Sequence, residues 1–242
     1  MINIFRKIRK NMLFSKKVSS YLLYAIGEIA LVMIGILLAL YVNNLNEERK
    51  QKNQLNAVLQ TIKTDLVADT LLATGIIKFY EENQKNSNKI INREITMDNY
   101  KECPQCISLV TIYQPFTIQK KGINLLQNYT NDKGIAKDSL INDITKVYSI
   151  FSPVIEKNND RMEAIVMKNF YEFEKHPWFV DLSQNKISDE MIEYFVLSED
   201  YRTRVASHSM LAVGNHLNAT KQYKNNAIEL IKQIDSRINE ND

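Results

Sequence analysis

An unbroken apolar run, Tyr21 to Val42, constrains this 242-residue chain more than any other feature. The run of 22 residues holds one charge, Glu28, and no proline. As an α-helix it extends ~33 Å at ~1.5 Å per residue, against a bilayer hydrocarbon core of ~30 Å. The expectation is a membrane span. A cleaved signal peptide shares the outline of a basic head before an apolar run. Signal cores, however, are ~7–15 residues long and lead into small residues at a cleavage site. This run closes in Tyr41-Val42-Asn43-Asn44, so an uncleaved signal anchor is expected.

Charge sets the orientation. Residues 1–20 carry Arg6, Lys7, Arg9, Lys10, Lys16 and Lys17 and no acid. Setting aside those six bases and Glu28 leaves 25 basic and 27 acidic residues over 43–242. The pI near 8.6 therefore comes from the head and does not point to nucleic acid. Bases beside a span mark the cytoplasmic side, which places residues 43–242 in the periplasm of a bacterium. The six bases are expected at the membrane surface, against anionic headgroups. The stretch Ile2 to Lys10 interleaves Ile and Phe with them, as an interfacial helix would. Topogenic charge alone is the competing account.

Past the span, nothing interrupts a helix from Val42 to about Ile91 except Gly75. Leu55, Leu59, Ile62, Leu66, Ala73, Ile76 and Tyr80 mark one apolar stripe on it. Residues 92–136 are irregular. Within them Ile107 to Tyr113 is β-branched and strand-like, without an evident partner. Phe116 to Lys121 reads as a helix turn closed by Gly122, with Ile123, Leu125 and Leu126 behind it. A long helix is expected from Asp138-Ser139, carrying Ile141, Ile144, Tyr148, Phe151 and Ile155, with Pro153 kinking or splitting it. Met162, Ile165, Val166, Phe170 and Phe173 continue its face, and His176-Pro177-Trp178-Phe179 breaks it. Ser188 is a candidate N-cap for a short helix, and a last helix runs from Ser198 to about Ile238, loosened at Gly214. The fold class is mainly α: one transmembrane helix followed by a periplasmic bundle of long helices with an irregular insertion.

Cys103-Pro104-Gln105-Cys106 is the sharpest chemical motif. Two thiols two residues apart can share a disulfide, form a redox centre or supply two ligands of a zinc site. A structural disulfide is the expected state in an oxidising compartment. A redox centre needs its first cysteine at a helix N-terminus, and a zinc site needs further ligands that no second CxxC supplies. His208 and His216 lie ~12 Å apart along a helix, too far for one ion, so they are expected as core or surface histidines. Trp178 and Phe179 are expected as an aromatic plug over a bundle end rather than a ligand pocket. The acids fall on helix surfaces in the ordinary solvated manner. No phosphate loop, nucleophile elbow or metalloprotease motif is present, and no cofactor or metal is expected.

Glu28 lies seven residues into the span, ~10 Å below its cytoplasmic end. A carboxyl at that depth faces protein or water in most membrane proteins. Glu28, Leu31, Val32, Gly35 and Ala39 share one helical face, and Gly35-x-x-x-Ala39 is a small-x-x-x-small pattern that permits close helix approach. Association through this face is expected, with a second copy or another membrane protein; a snorkelling glutamate beside incidental glycines is the plainer account.

Phe5 to Lys10, Tyr21 to Ile29, Ile34 to Leu40 and Asn43-Asn44-Leu45-Asn46-Glu47 together resemble an uncharacterised family of short membrane-anchored proteins widespread in Bacteroidota. More loosely, Gly122 to Leu126 followed by Leu140 to Tyr148 is similar to a family segment with a glycine turn before a helix ending in tyrosine. Tryptophan stands in many members where this chain has Leu45, and Cys103 and Cys106 are not part of the family pattern. The resemblance implies a bacterial inner membrane and an all-α exported domain, and no known activity.

The expected organisation is a cytoplasmic head (1–20), a transmembrane helix (21–42) and a periplasmic helical domain (43–242). The expected role is non-catalytic: a membrane-tethered interaction or scaffold module, oligomeric through its span. A sensor-like ligand-binding bundle relaying through the span to a partner is the alternative, and a thiol/disulfide redox protein using Cys103 and Cys106 is the third.

Overall fold

The structure, a computed structural model, describes residues 18–133 and 138–239. The six head bases, Arg6 to Lys17, and the candidate interfacial helix lie outside the described residues. The chain divides into two compact units, Met1–Leu55 and Asn56–Asp242.

One helix, α1 (Val18–Ile91, 74 residues), contributes to both units. Its length follows from composition: it holds no proline, and its glycines are Gly27, Gly35 and Gly75. In the first unit the apolar side chains from Leu22 to Val42 lie almost all in the open. Mean hydropathy reaches 2.4 in this stretch and none of it is buried by protein. Withdrawing one leucine or isoleucine side chain from water is worth about 1.5–3 kcal/mol. A bare cylinder of them is therefore stable in hydrocarbon and not in water. By length and composition the helix is able to cross a membrane.

In the second unit α1 buries Leu59, Ile62, Leu66, Ala73, Ile76 and Tyr80. It ends at Ile91, followed by Arg93 at φ 60°. Two short 3₁₀ turns, Tyr100–Glu102 and Pro104–Ile107, come next. The chain then runs without helix as far as α2 (Lys121–Lys133). The remaining helices are α3 (Ser139–Phe173), α4 (Phe179–Ser183), α5 (Asp189–Leu197), α6 (Glu199–Leu211) and α7 (Asn218–Asn239). A π-helical segment, Ala212–Leu217, joins α6 to α7 around Gly214. α3 packs along α7 and α6, and α2 packs on α3. Helix starts follow the capping rules: Asp138 accepts from the Leu140 and Ile141 amides, Ser188 from Met191, and Ser198 from Asp200 and Tyr201.

The mainly helical class is as expected, and two local expectations fail. No strand forms among the described residues; Ile107 to Thr111 makes a 3₁₀ end and turns, because a strand here has no neighbour to bond. Phe116 to Lys120 is not a helix turn, since its amides are taken by side chains of other helices. Of the two outcomes expected at Pro153 the split does not occur, since α3 continues through it.

α2 begins against α1. A Cβ on Gly122 would stand 2.7 Å from the Cα of Ile62, so only glycine permits this approach. Gly214, by contrast, has nothing within 4 Å of an added Cβ. Gly122→Ala is expected to lower unfolding free energy by about 1–3 kcal/mol through overpacking. Gly214→Ala should be neutral or stabilising by up to about 1 kcal/mol. Chemical denaturation of the two variants side by side checks the pair; equal effects would refute the close-approach account.

Candidate functional site

The stretch from Ser108 to Lys120 lies against α1, α3 and α6, its residues part buried and part exposed. Local turns bond some of its amides, and each amide or carbonyl left unpaired where it is buried costs about 1–3 kcal/mol. The chain meets this with polar side chains placed along the route.

The Tyr201 hydroxyl donates to the Cys106 carbonyl. Asn83 Nδ2 donates to Leu109 O at 3.4 Å and Asn169 Nδ2 to Val110 O at 3.1 Å. The Tyr80 hydroxyl takes both groups of Gln114, donating to its O at 3.0 Å and accepting from its N at 3.1 Å. His216 Nε2 reaches the same carbonyl at 3.1 Å. Asn159 bonds Phe116 as a neighbouring strand would, accepting from N at 3.1 Å and donating to O at 2.7 Å. At the far end, Gln119 N donates to Asp69 Oδ1 at 3.1 Å and Gly122 N to Asp65 Oδ2 at 2.6 Å. Asp65 and Asp69, four residues apart on α1, thus hold the entry of α2.

Burial sets the protonation of this lining. Desolvation pushes the Asp69 carboxyl up to about 6, with Asp65 adding to the rise; the Tyr223 hydroxyl, 2.5 Å away, and the Gln119 amide oppose it. Tyr148 and Tyr223 face this carboxylate, and burial raises both phenols. His208 is buried and its ring lies by the Ile112 backbone, without a well-formed hydrogen bond at either nitrogen. Desolvation lowers it to about 4, and lowers His216 as well. Both rings are neutral at neutral pH. The arrangement fastens a chain; its polar atoms point at backbone and not at solvent.

Cys103 and Cys106 form a disulfide, 2% and 4% exposed, at the head of the threaded stretch. It packs in a cluster with Phe173, Trp178, Phe195 and Tyr201. Trp178 lies 5.5 Å from Phe173 and 5.3 Å from Phe195, and stacks on His176 at 4.8 Å. The aromatic plug is therefore present. Among the described residues no group of His, Cys, Asp and Glu is placed to hold a metal ion.

In the first unit Glu28, Leu31 and Val32 line a shallow groove of about 410 Å³ with Tyr24 and Gly27. A Cβ added at Gly27 or Gly35 meets nothing within 4 Å. Gly35 and Ala39 continue from Glu28 at helical spacing.

Asp65 and Asp69 correct the expectation that the acids are solvated: they are 8% and 1% exposed. The signal lay in spacing. Positions 59, 62, 66, 69, 73, 76, 80, 83, 87 and 90 alternate by three and four, and Asp69, Asn83 and Ser87 occupy core positions of that series.

The class defined by these features is a helical domain, threaded by its own non-helical segment, on a helix able to cross a membrane. Over residues 28–123 the chain is similar to a family of unknown function (DUF6090). That stretch includes most of the apolar run, the disulfide, Asp65, Asp69 and Gly122, and stops before α3. No curated protein and no solved structure matches the chain.

Asp69 yields a pH prediction. Its folded-state value, about 6, lies above its ordinary 3.8. The folded chain therefore holds the proton more tightly, and this contribution is full below 3.8 and is lost as pH rises through about 6. The difference in unfolding free energy between wild type and Asp69→Asn should fall by about 3 kcal/mol across that window. Denaturant titrations at several pH values measure it, and a flat difference would contradict the assignment.

Proposed function

We propose that the chain is a membrane-tethered interaction module, anchored by residues 21–42 with residues 43–242 exported, and self-associating or pairing with another membrane protein through the face of Glu28, Leu31, Val32, Gly35 and Ala39. The observation that carries this reading is the contrast between the two units. In the second, the polar groups with chemical potential are consumed by the threaded backbone. In the first, an apolar face with open glycines stands without cover. The orientation is supported by the six head bases, and export by a disulfide of the kind that persists in oxidising compartments. The bacterial inner membrane fits both, with the headgroups of its cytoplasmic leaflet meeting the basic head.

A sensor-like reading, with a ligand state relayed through the span to a partner, draws on the continuity of α1 from Val18 to Ile91. A thiol/disulfide function for Cys103 and Cys106 is less favoured, because both sulfur-bearing residues are buried under aromatic rings.

Single-site photocrosslinkers walked along residues 28–40 in native membranes test the association. Yield should peak around Gly35 with helical periodicity and fall several-fold in Glu28→Leu and Gly35→Leu; an even yield around the helix would refute it. The midpoint potential of the Cys103–Cys106 pair separates a structural bond from a redox centre. A structural bond is expected, below about −300 mV, and a value near those of periplasmic oxidants would favour the redox reading.

A further inference from the structure

Beside the threaded stretch, the second unit has an open groove of about 340 Å³. One wall is α1 from Gly75 to Asn86, and the other is Gln105, Leu109 and Ile112. Contacts between the walls set their register. Cys106 Sγ lies 3.8 Å from Asn86 O, Asn83 Nδ2 donates to Leu109 O, and the Tyr80 hydroxyl donates to Gln114 O. Later residues of the stretch thus meet earlier residues of α1. Ile112 therefore stands towards Gly75 and Phe79, which makes that end apolar, and Gln105 stands towards Asn86, which puts carboxamides at the other end. Lys78 and Glu82 also belong to the α1 wall.

Asn86 departs from the pattern of side chains consumed by the threaded backbone. It is 5% exposed, yet its carboxamide takes part in no hydrogen bond among the described residues. A carboxamide buried to that degree without a partner is costly. Other asparagines of the domain show what such a group is suited to hold. Asn159 accepts from Phe116 N and donates to Phe116 O, and Asn169 donates to Val110 O. In this domain asparagine holds non-helical peptide backbone, and Asn86 has none to hold.

We propose that the groove binds an extended peptide segment of another protein, with one apolar side chain against Phe79 and Ile112 and a peptide group on the Asn86 carboxamide. A carboxamide offers both an acceptor and donors, the complement of a peptide N–H and C=O, and Gln105 offers the same pair at the same end. From Gly75 to Asn86 the helix covers ~16 Å at ~1.5 Å per residue, the reach of about five residues of extended chain at ~3.3 Å each. Gly75 has nothing within 4 Å of an added Cβ, so a peptide backbone is free to approach α1 there. The inference concerns the second unit alone and does not depend on association through residues 21–42.

The test uses the full-length chain in phospholipid nanodiscs. The probe is a pentapeptide, acetylated and amidated at its ends, with a central p-benzoylphenylalanine between alanines. On irradiation it should label residues 75–79 and 109–112, as mapped by mass spectrometry. Asn86→Ala should lower the yield by about three- to tenfold, the range of one hydrogen bond. N-methylation of the probe's peptide groups should lower the wild-type yield to a similar extent and cause no further loss in Asn86→Ala. Gly75→Leu fills the apolar end at a position where the fold has room, and should abolish labelling. Thermal unfolding of both variants controls for folding. Labelling outside the groove, an undiminished yield from the N-methylated probe or from Asn86→Ala, or no labelling at all would overturn the proposal.

Discussion

The second unit depends on one constraint: an irregular chain segment inside a helical bundle has to find partners for its peptide groups. A helix satisfies its own backbone; residues 106–111 do so only through short turns, and the chain beyond them leans on side chains. The bundle supplies Tyr201, Asn83, Asn169, Tyr80, His216, Asn159 and Asp69 at successive points of the route. Those residues come from α1, α3, α6 and the π segment, so the segment ties together helices that are far apart in sequence. Removing Asn169 or Asn159 strands a backbone group of the segment, which costs more than the bond itself contributes. The helices are thus positioned as much by what they grip as by what they pack against.

Gripping and packing are combined on α1. The same three-and-four series that supplies Leu59, Ile62, Leu66 and Ala73 to the apolar core also supplies Asp69, Tyr80 and Asn83 to the threaded backbone. A carboxylate at a core position is expensive to desolvate, and the rise of Asp69 to about 6 expresses that cost. Its two donors, the Gln119 amide, which reaches both carboxylate oxygens, and the Tyr223 hydroxyl, offset part of it. Gly122 then closes the entry of α2 onto Ile62 at a distance no other residue allows.

Much of this was visible in the sequence where local rules govern. The apolar run, the end of α1 at Ile91, the cap Ser188, the helix starts near Asp138 and Ser198 and the disulfide follow from spacing, capping chemistry and cysteine arithmetic. The threaded segment was not visible, because its conformation is set by residues 26 to 102 positions away. Its β-branched start suggested a strand, and tertiary bonding overrode that propensity. Pro153 does not split α3, because a long helix held by α6 and α7 tolerates the loss of one internal bond. Asp69 occupies a core position of the three-and-four series, which its charge masks; Asp65 is buried outside that series and carries no such mark.

The polar side chains that hold the threaded segment are engaged with its backbone. Tyr80, Asn159, Asn169, His216 and Asp69 each face an internal peptide group, and the disulfide is sealed beneath Phe173, Trp178 and Tyr201. The groups left facing outward on α1 are of another kind: leucines, glycines with open backbone, and a lysine and glutamate one turn apart. Such surfaces offer shape and apolar area. The division is physical before it is functional, because a rigid, internally satisfied scaffold is what holds a helix face constant enough to be recognised.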